Sequence, residues 1–162
     1  VITNTIIVNA KFSANLTSND IDIQLPEQIP NCFALKVQHF ALIDDGTLLP
    51  IVTNGSILLL RSSLCTSNSK NRYFLADETD KTRVLANCDN TVLAWAVNGR
   101  KSSSSDLFPI GLAQNNAINF FEQNQSVYRF TLNINNISGT LQPHTSGYLL
   151  EAVIELYSLY HS

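Results

Sequence analysis

Apolar and polar side chains alternate in "TIIVNAKFSANL", residues 5 to 16, and this pattern restricts what the start of the chain can form. Every second residue from Ile6 to Leu16 is apolar, and the positions between them are polar except for Ile7. Because successive side chains of a strand point to opposite faces, a period of two predicts a half-buried β-strand.

Two later segments repeat this alternation. "IDIQLP", residues 21 to 26, is apolar at every second position until Pro26 ends the pattern. "CFALKVQHFALID", residues 32 to 44, predicts a strand with Lys36 and Gln38 on its outward face. The residues predicted on its core-facing side are Phe33, Leu35, Val37, His39, Ala41 and Ile43. His39 is therefore interpreted as a hydrogen-bonded core histidine.

The second half of the chain carries similar signals. "SVYRFTLNIN" predicts a strand with Tyr128, Phe130, Leu132 and Ile134 facing inward. Shorter strands are predicted in "SILLLRSSL", "NRYFLA", "TRVLA", "TVLAWAVNG" and "LFPIGLA", and a short helical turn in "NNAINFFEQN". The residues predicted to form the centre of the core are Phe12, Leu35, Val37, Phe130 and Leu132.

The last segment, "YLLEAVIELYSLYH" at residues 148 to 161, fits either a helix or a strand. As a strand it places Leu150, Ala152, Ile154, Leu156 and Tyr160 on one face, which only Ser158 interrupts. The loop before it ends in Gly147 without a helix N-cap, and the segment contains several β-branched and aromatic residues. A strand is therefore predicted.

About eight strands with turns between them predict one all-β domain spanning residues 1 to 162. A single jelly-roll β-sandwich of about eight antiparallel strands is the simplest such fold. An immunoglobulin-like sandwich is the alternative, but Trp95 follows both Cys65 and Cys88 instead of lying between them.

Charge and cysteine content argue against several functions. The net charge of -3 and the absence of a Lys/Arg cluster argue against strong nucleic-acid binding. The longest apolar run, "ILLL", is too short to insert into a membrane as a spanning helix. Cys32, Cys65 and Cys88 lack the spacing of a disulfide framework or a zinc site and are interpreted as three buried thiols.

Catalytic and metal-binding patterns are also missing from the sequence. His39, His144 and His161 lie far apart. The acidic cluster of Asp77, Glu78 and Asp80 lacks the spacing and glycine of an EF-hand calcium loop. No nucleophile elbow or phosphate-binding loop is present. We expect no enzymatic activity, no cofactor and no metal.

The strand patterns in "IQLPEQIPNCFALKVQHFALID" and "YRFTLNIN…YLLEAVIELYSLY" resemble those of single jelly-roll capsid proteins of icosahedral viruses. The resemblance is to the small penton or minor capsid proteins of virophages and related double-stranded DNA viruses. The acidic balance fits a vertex protein better than an RNA-packaging capsid protein of the satellite-virus type. The resemblance implies a structural protein of the virion that assembles with itself, as a pentamer or shell, and it allows contacts with other capsid proteins.

Four apolar residues of the last segment form the predicted subunit interface. Leu149, Val153, Tyr157 and Leu159 oppose the core-facing set, and monomers usually avoid such an exposed apolar stripe. The alternative function is a trimeric receptor- or glycan-binding head, either on a fibre or in a secreted lectin-like or TNF-like sandwich. Both functions use the same strands.

Overall fold

The structure is a computed structural model that describes residues 1–12, 20–44, 56–64, 72–77, 82–98, 118–137 and 147–159. Its strands are β1 (Ile2–Phe12), β2 (Asp20–Asp44), β3 (Ser56–Ser62), β4 (Tyr73–Leu75), β5 (Asn87–Asp89), β6 (Val92–Asn98), β7 (Ile118–Asn136) and β8 (Tyr148–Ser158). The described residues include no helix, so the all-β prediction is confirmed. The last segment is a strand as predicted, whereas the helical turn predicted at residues 115 to 124 is wrong because β7 begins at Ile118.

The strands pair antiparallel, the first with the last and so on inward along the chain to the short β4–β5 hairpin. The six-stranded sheet has the order β1-β8-β2-β7-β3-β6, and β4 pairs separately with β5. β1 pairs with β8, β2 with β7, and β3 with β6. Each pair therefore encloses the next one along the chain, with β4 and β5 innermost.

The two long strands each take part in both halves of this sheet. Residues 20–24 of β2 pair with residues 129–133 of β7, which continues alongside β3. Residues 32–44 of β2 pair with β8, and the start of β7 pairs with β2 near Lys36. One half of the sheet therefore consists of β1, β8, the later part of β2 and the start of β7, and the other of the earlier part of β2 with the rest of β7, β3 and β6.

β2 continues through Pro26 and Pro30 with irregular pairing, which corrects the expectation for Pro26. Register shifts lie between Gln24 and Ile29 and between Ile29 and Cys32, the region that contains Pro26 and Pro30. Asn31 adopts a φ of 53°, in the left-handed region that Asn tolerates better than most residues. An irregular strand can accommodate proline where a regular ladder would lose a hydrogen bond.

A single hydrophobic core joins the inward faces of both halves. Val8, Leu150 and Ile154 from one half and Leu60 and Ile134 from the other belong to the same buried cluster. Leu35, Val37, Phe130 and Leu132 are buried as predicted. The side chain of Phe12 lies outside the described residues.

The predicted inward face of residues 39 to 44 is wrong, because β2 contains a bulge before His39. Val37 pairs with Ile154 but His39 pairs with Val153, so β2 contains one extra residue at this point. Phe40 and Leu42 consequently enter the core. His39 and Ile43 lie half-buried on the opposite face, which also holds Ala41. Phe33, before an earlier register shift, is likewise half-buried and not part of the core cluster.

Three smaller predictions are also wrong. Tyr128 is 43% exposed, because the irregular pairing opposite Ile29 gives the inward position to Val127. "TRVLA" is not a strand, and β5 follows it instead. Cys88 is exposed, whereas Cys32 is buried as predicted.

Some predicted features lie outside the described residues. They are the end of the first alternating segment at Ala14 and Leu16, the "LFPIGLA" segment, Cys65, Glu78, Asp80, His144, Tyr160 and His161.

The inward assignment of β7 can be tested by truncating neighbouring aromatic residues. Phe130→Ala should lower the free energy of unfolding by about 3 to 5 kcal/mol, because it leaves a cavity in the shared core. Tyr128→Ala, the matched control, should cost less than about 1 kcal/mol because Tyr128 lies at the surface. Chemical denaturation measures both, and equal losses would contradict the assignment.

Candidate interaction surface

The outward side of β1, β8 and the later part of β2 forms a surface that we call the β8 outer face. In its central row, Ile7 lies opposite Val153, and Val153 lies opposite His39. The adjacent rows comprise Thr5, Glu155 and Lys36, and Asn9, Glu151 and Ala41. Side chains of directly opposed residues lie close enough to make one continuous surface.

The four predicted interface residues lie on this face or at its end. Leu149, Val153 and Tyr157 are half-buried residues of β8, and Leu159, just beyond the strand, is 42% exposed. Buried and half-buried residues alternate along the whole of β8. The predicted orientation of the three strand residues is therefore right, and their role between subunits stays a prediction.

Ile7 extends the apolar part of this face and was missed by sequence reasoning. Its side chain is 77% exposed and neighbours Val153. The alternation in the first segment assigned Ile7 to a polar face, which is correct for its direction. The missed signal was that Ile7 is the one large apolar residue on that face.

Aromatic residues gather at one end of the β8 outer face. The ring centroids of Phe33 and Tyr157 are 6.3 Å apart, and the ring planes are tilted by 32°. Ala34 pairs with Tyr157 on one side and with Phe120 on the other, so Phe120 joins the same row. Aromatic pairs in this distance range attract each other beyond their burial.

The carboxylate of Glu155 is paired within the face. The Tyr157 hydroxyl donates a hydrogen bond of 2.5 Å to Glu155 Oε2. This bond, then one from Gln38, lowers the pKa of Glu155, and the charge of Lys36 adds to the effect. Burial, then the hydrogen bond to Glu155 and its charge, raises the pKa of Tyr157 to about 12.

The outward side of β7 and the earlier part of β2, which we call the β7 outer face, is different. Asn133 Nδ2 donates to Asp20 Oδ1 at 2.6 Å, and Gln24 Nε2 donates to the Tyr128 hydroxyl at 2.8 Å. Arg129 forms an ion pair with Asp22, and its hydrogen bond lowers the pKa of that carboxyl. Polar side chains on this face thus pair with one another, whereas the β8 outer face presents Ile7, Val153 and aromatic rings.

An open cleft of about 570 Å³ lies beside the β4–β5 hairpin. Its lining residues are Leu75, Asp77, Leu85, Asn87, Cys88, Asp89, Asn90, Thr91 and Ile137. Carboxylate, amide and hydroxyl groups beside aliphatic side chains can hydrogen-bond a small polar molecule and exclude water from part of it. The cleft is therefore a second, smaller candidate site.

Asp89 connects the hairpin to β3. Arg61 Nε donates to Asp89 Oδ2 at 2.8 Å, and Thr91 donates to Asp89 Oδ1 from its amide at 2.9 Å and from its hydroxyl at 2.5 Å. Burial raises the pKa of Asp89, but the hydrogen bonds from Thr91 and Arg61 outweigh it and leave the pKa below its ordinary value. The ionised carboxylate therefore stabilises the folded state.

The part of the chain that the structure describes contains no group of three or more His, Cys, Asp and Glu side chains that could hold a metal ion. It also contains no helix long and apolar enough to cross a membrane. Comparisons with protein-family models, curated proteins and solved structures found no match for this chain.

Asp89 predicts a pH dependence of stability. A carboxyl whose pKa is lowered by folding stabilises the protein above its unfolded pKa of about 3.9, and this contribution is lost as the pH falls through the folded pKa. Asp89→Asn should therefore cost about 1 to 3 kcal/mol at pH 7 and much less near pH 3. Denaturation of both proteins at the two pH values gives the difference.

Asp22→Asn is the matched control, because Asp22 also pairs with an arginine but is exposed. Solvent screens such a surface pair, so the control should show a smaller dependence on pH. A pH-independent effect of Asp89→Asn would show that the hydrogen bonds of Asp89, and not its charge, stabilise the hairpin.

Proposed function

We propose that the chain folds as a single jelly-roll β-sandwich. The support is the nested pairing, in which β2 and β7 each supply two consecutive strand segments. Counted this way, one four-stranded layer has the order β1, β8, later β2, early β7, and the other has the order early β2, late β7, β3, β6. A long antiparallel hairpin of eight segments rolled around one core has this arrangement.

The proposed function is that of a structural, non-catalytic virion protein that assembles into capsomers of an icosahedral capsid. Jelly rolls serve capsids, lectins and other proteins, so the fold alone does not select this function. The observation that carries the proposal is the difference between the two outward faces. The β7 outer face is polar and internally paired, whereas the β8 outer face presents exposed Ile7 beside Val153 and the aromatic pair of Phe33 and Tyr157.

Burial of the β8 outer face against further copies explains this difference. Apolar and aromatic residues are enriched at the centre of subunit interfaces, and a self-assembling protein needs at least one such surface. The proposed assembly is a pentamer or a shell, with other capsid proteins as further partners. The net charge of -3 fits an assembly held by protein contacts, not by nucleic acid.

The assembly can be tested by introducing charge on the β8 outer face. Wild-type protein should sediment as capsomers of five or more copies, or form particles visible by negative-stain electron microscopy. Val153→Asp with Tyr157→Asp should leave folded species no larger than a dimer, because buried unpaired carboxylates oppose association.

The control variant is Gln123→Asp with Ser126→Asp, which adds the same charge at exposed positions of β7. It should assemble like the wild type, and circular dichroism should show a β spectrum for all three proteins. A wild-type chain that remains monomeric or dimeric at micromolar concentration and forms no particles would overturn the capsid proposal.

The cleft beside the β4–β5 hairpin favours a second candidate function, a trimeric receptor- or glycan-binding head on a fibre or in a secreted protein. Its carboxylate, amide and hydroxyl groups suit the hydroxyls of a sugar. This function predicts a trimer by sedimentation and glycan-array binding that Asn87→Ala weakens. A pentamer that binds no glycan would favour the capsid proposal.

A further inference from the structure

β1 and β6 are the strands at the two edges of the six-stranded sheet, and they differ in their contacts with other parts of the chain. On β6, the strand at one edge, the carbonyl of Leu93 accepts a hydrogen bond from the Tyr73 hydroxyl at 3.3 Å and another from Asn119 Nδ2 at 3.1 Å. Side chains of β4 and β7 thus bind the backbone of that edge strand. At the β1 edge, no strand among the described residues pairs with the side of β1 that faces away from β8.

β1 also lacks the features that commonly protect an exposed edge. Such features are prolines, bulges, short length and multiple charges. β1 is 11 residues long, pairs with β8 without a register shift, and has no proline. Its one charged residue is Lys11, near the end of the strand. The uncharged stretch from Ile2 to Ala10 is therefore suited to pairing with another strand.

We propose that β1 pairs antiparallel with β1 of a second copy of this chain, about a two-fold axis at Ile7. Ile7 is the midpoint of Ile2–Phe12, so this register pairs all 11 residues of each strand. The two sheets would then continue into each other across the dimer. Backbone hydrogen bonds at the β1 edge provide the attraction, and the two-fold axis closes the assembly at two copies.

The residues of β1 are compatible with this self-pairing on both faces. On the outward face, Ile7 would oppose Ile7 of the second copy, while Thr5 would oppose Asn9 and Thr3 would oppose Lys11. On the core side, Ile6 would oppose Val8 and Asn4 would oppose Ala10. No like charges are opposed. Ile6 and Ala10, half-buried in one copy, would gain cover from the neighbouring strand.

This contact differs from the capsomer contact and does not require the proposed capsid function. It joins strand edges, whereas the capsomer contact covers the β8 outer face. Val153→Asp with Tyr157→Asp removes the latter and leaves the backbone edge intact, so this variant isolates the β1 contact.

The oligomeric state of that variant is the first test. In analytical ultracentrifugation at micromolar concentration it should be a dimer, and adding Ile7→Lys should make it a monomer because two lysines would meet at the axis. Leu85→Lys is the matched control, since Leu85 is 81% exposed and lies outside the six-stranded sheet. It should leave the dimer unchanged. A monomer before Ile7→Lys is added would overturn the β1 proposal and leave the capsomer proposal standing.

Disulfide cross-linking tests the register. The same variant with Cys65→Ser and Cys88→Ser lacks the thiol outside the described residues and the exposed thiol within them. In it, oxidised Ile7→Cys should give a covalent dimer because residues at the axis are directly opposed. Thr3→Cys is the control, since the two copies of residue 3 would lie about 27 Å apart along the paired strands. Cross-linking of both variants, or of neither, would overturn the proposed pairing.

Discussion

The pairing of β2 with β7 is the interaction on which the rest of the sheet depends. Each strand passes from one half of the sheet to the other, and the other long pairs, β1 with β8 and β3 with β6, attach on either side. A two-stranded unit alone is marginally stable in water. Because both halves contribute to one core, loss of the β2–β7 pairing would expose the apolar faces of both.

Alternation in the sequence predicted the strands better than it predicted which side chains are buried. β1 and β8 pair without a register shift, and several of their predicted inward residues, such as Val8 and Leu150, are in the core. Ile6 and Ala10 of β1 are half-buried and pack against it. In β2, the register shifts at Cys32/Ala34 and Val37/His39 each exchange the inward and outward positions that follow. The exchange of Phe40 for His39 arises from pairing with β8, a contact between residues distant in the chain. Local periodicity carries no signal for it.

The sequence predicted only the part of the candidate surface that depends on local periodicity, and not the part that depends on long-range pairing. Leu149, Val153 and Tyr157 lie in a regular strand, so their common direction could be read from the period of two. Ile7 and Phe33 belong to the β8 outer face because β1 and β2 lie beside β8. Local sequence patterns do not reveal which strands pair, so these two residues could not be predicted. Likewise, Asp89 and Arg61 are far apart in the chain, and the hairpin brings them together.

The positions of Ile7 and Val153 connect the two proposed contacts. Ile7 belongs to the β1 edge and also to the central row of the β8 outer face. A dimer formed through β1 would place two β8 outer faces side by side, with the two copies of Ile7 between the two copies of Val153. The apolar centre of the surface would then be continuous across the dimer and larger than in one chain. Since contiguous apolar area strengthens association, edge pairing would favour burial of the joined faces against further copies.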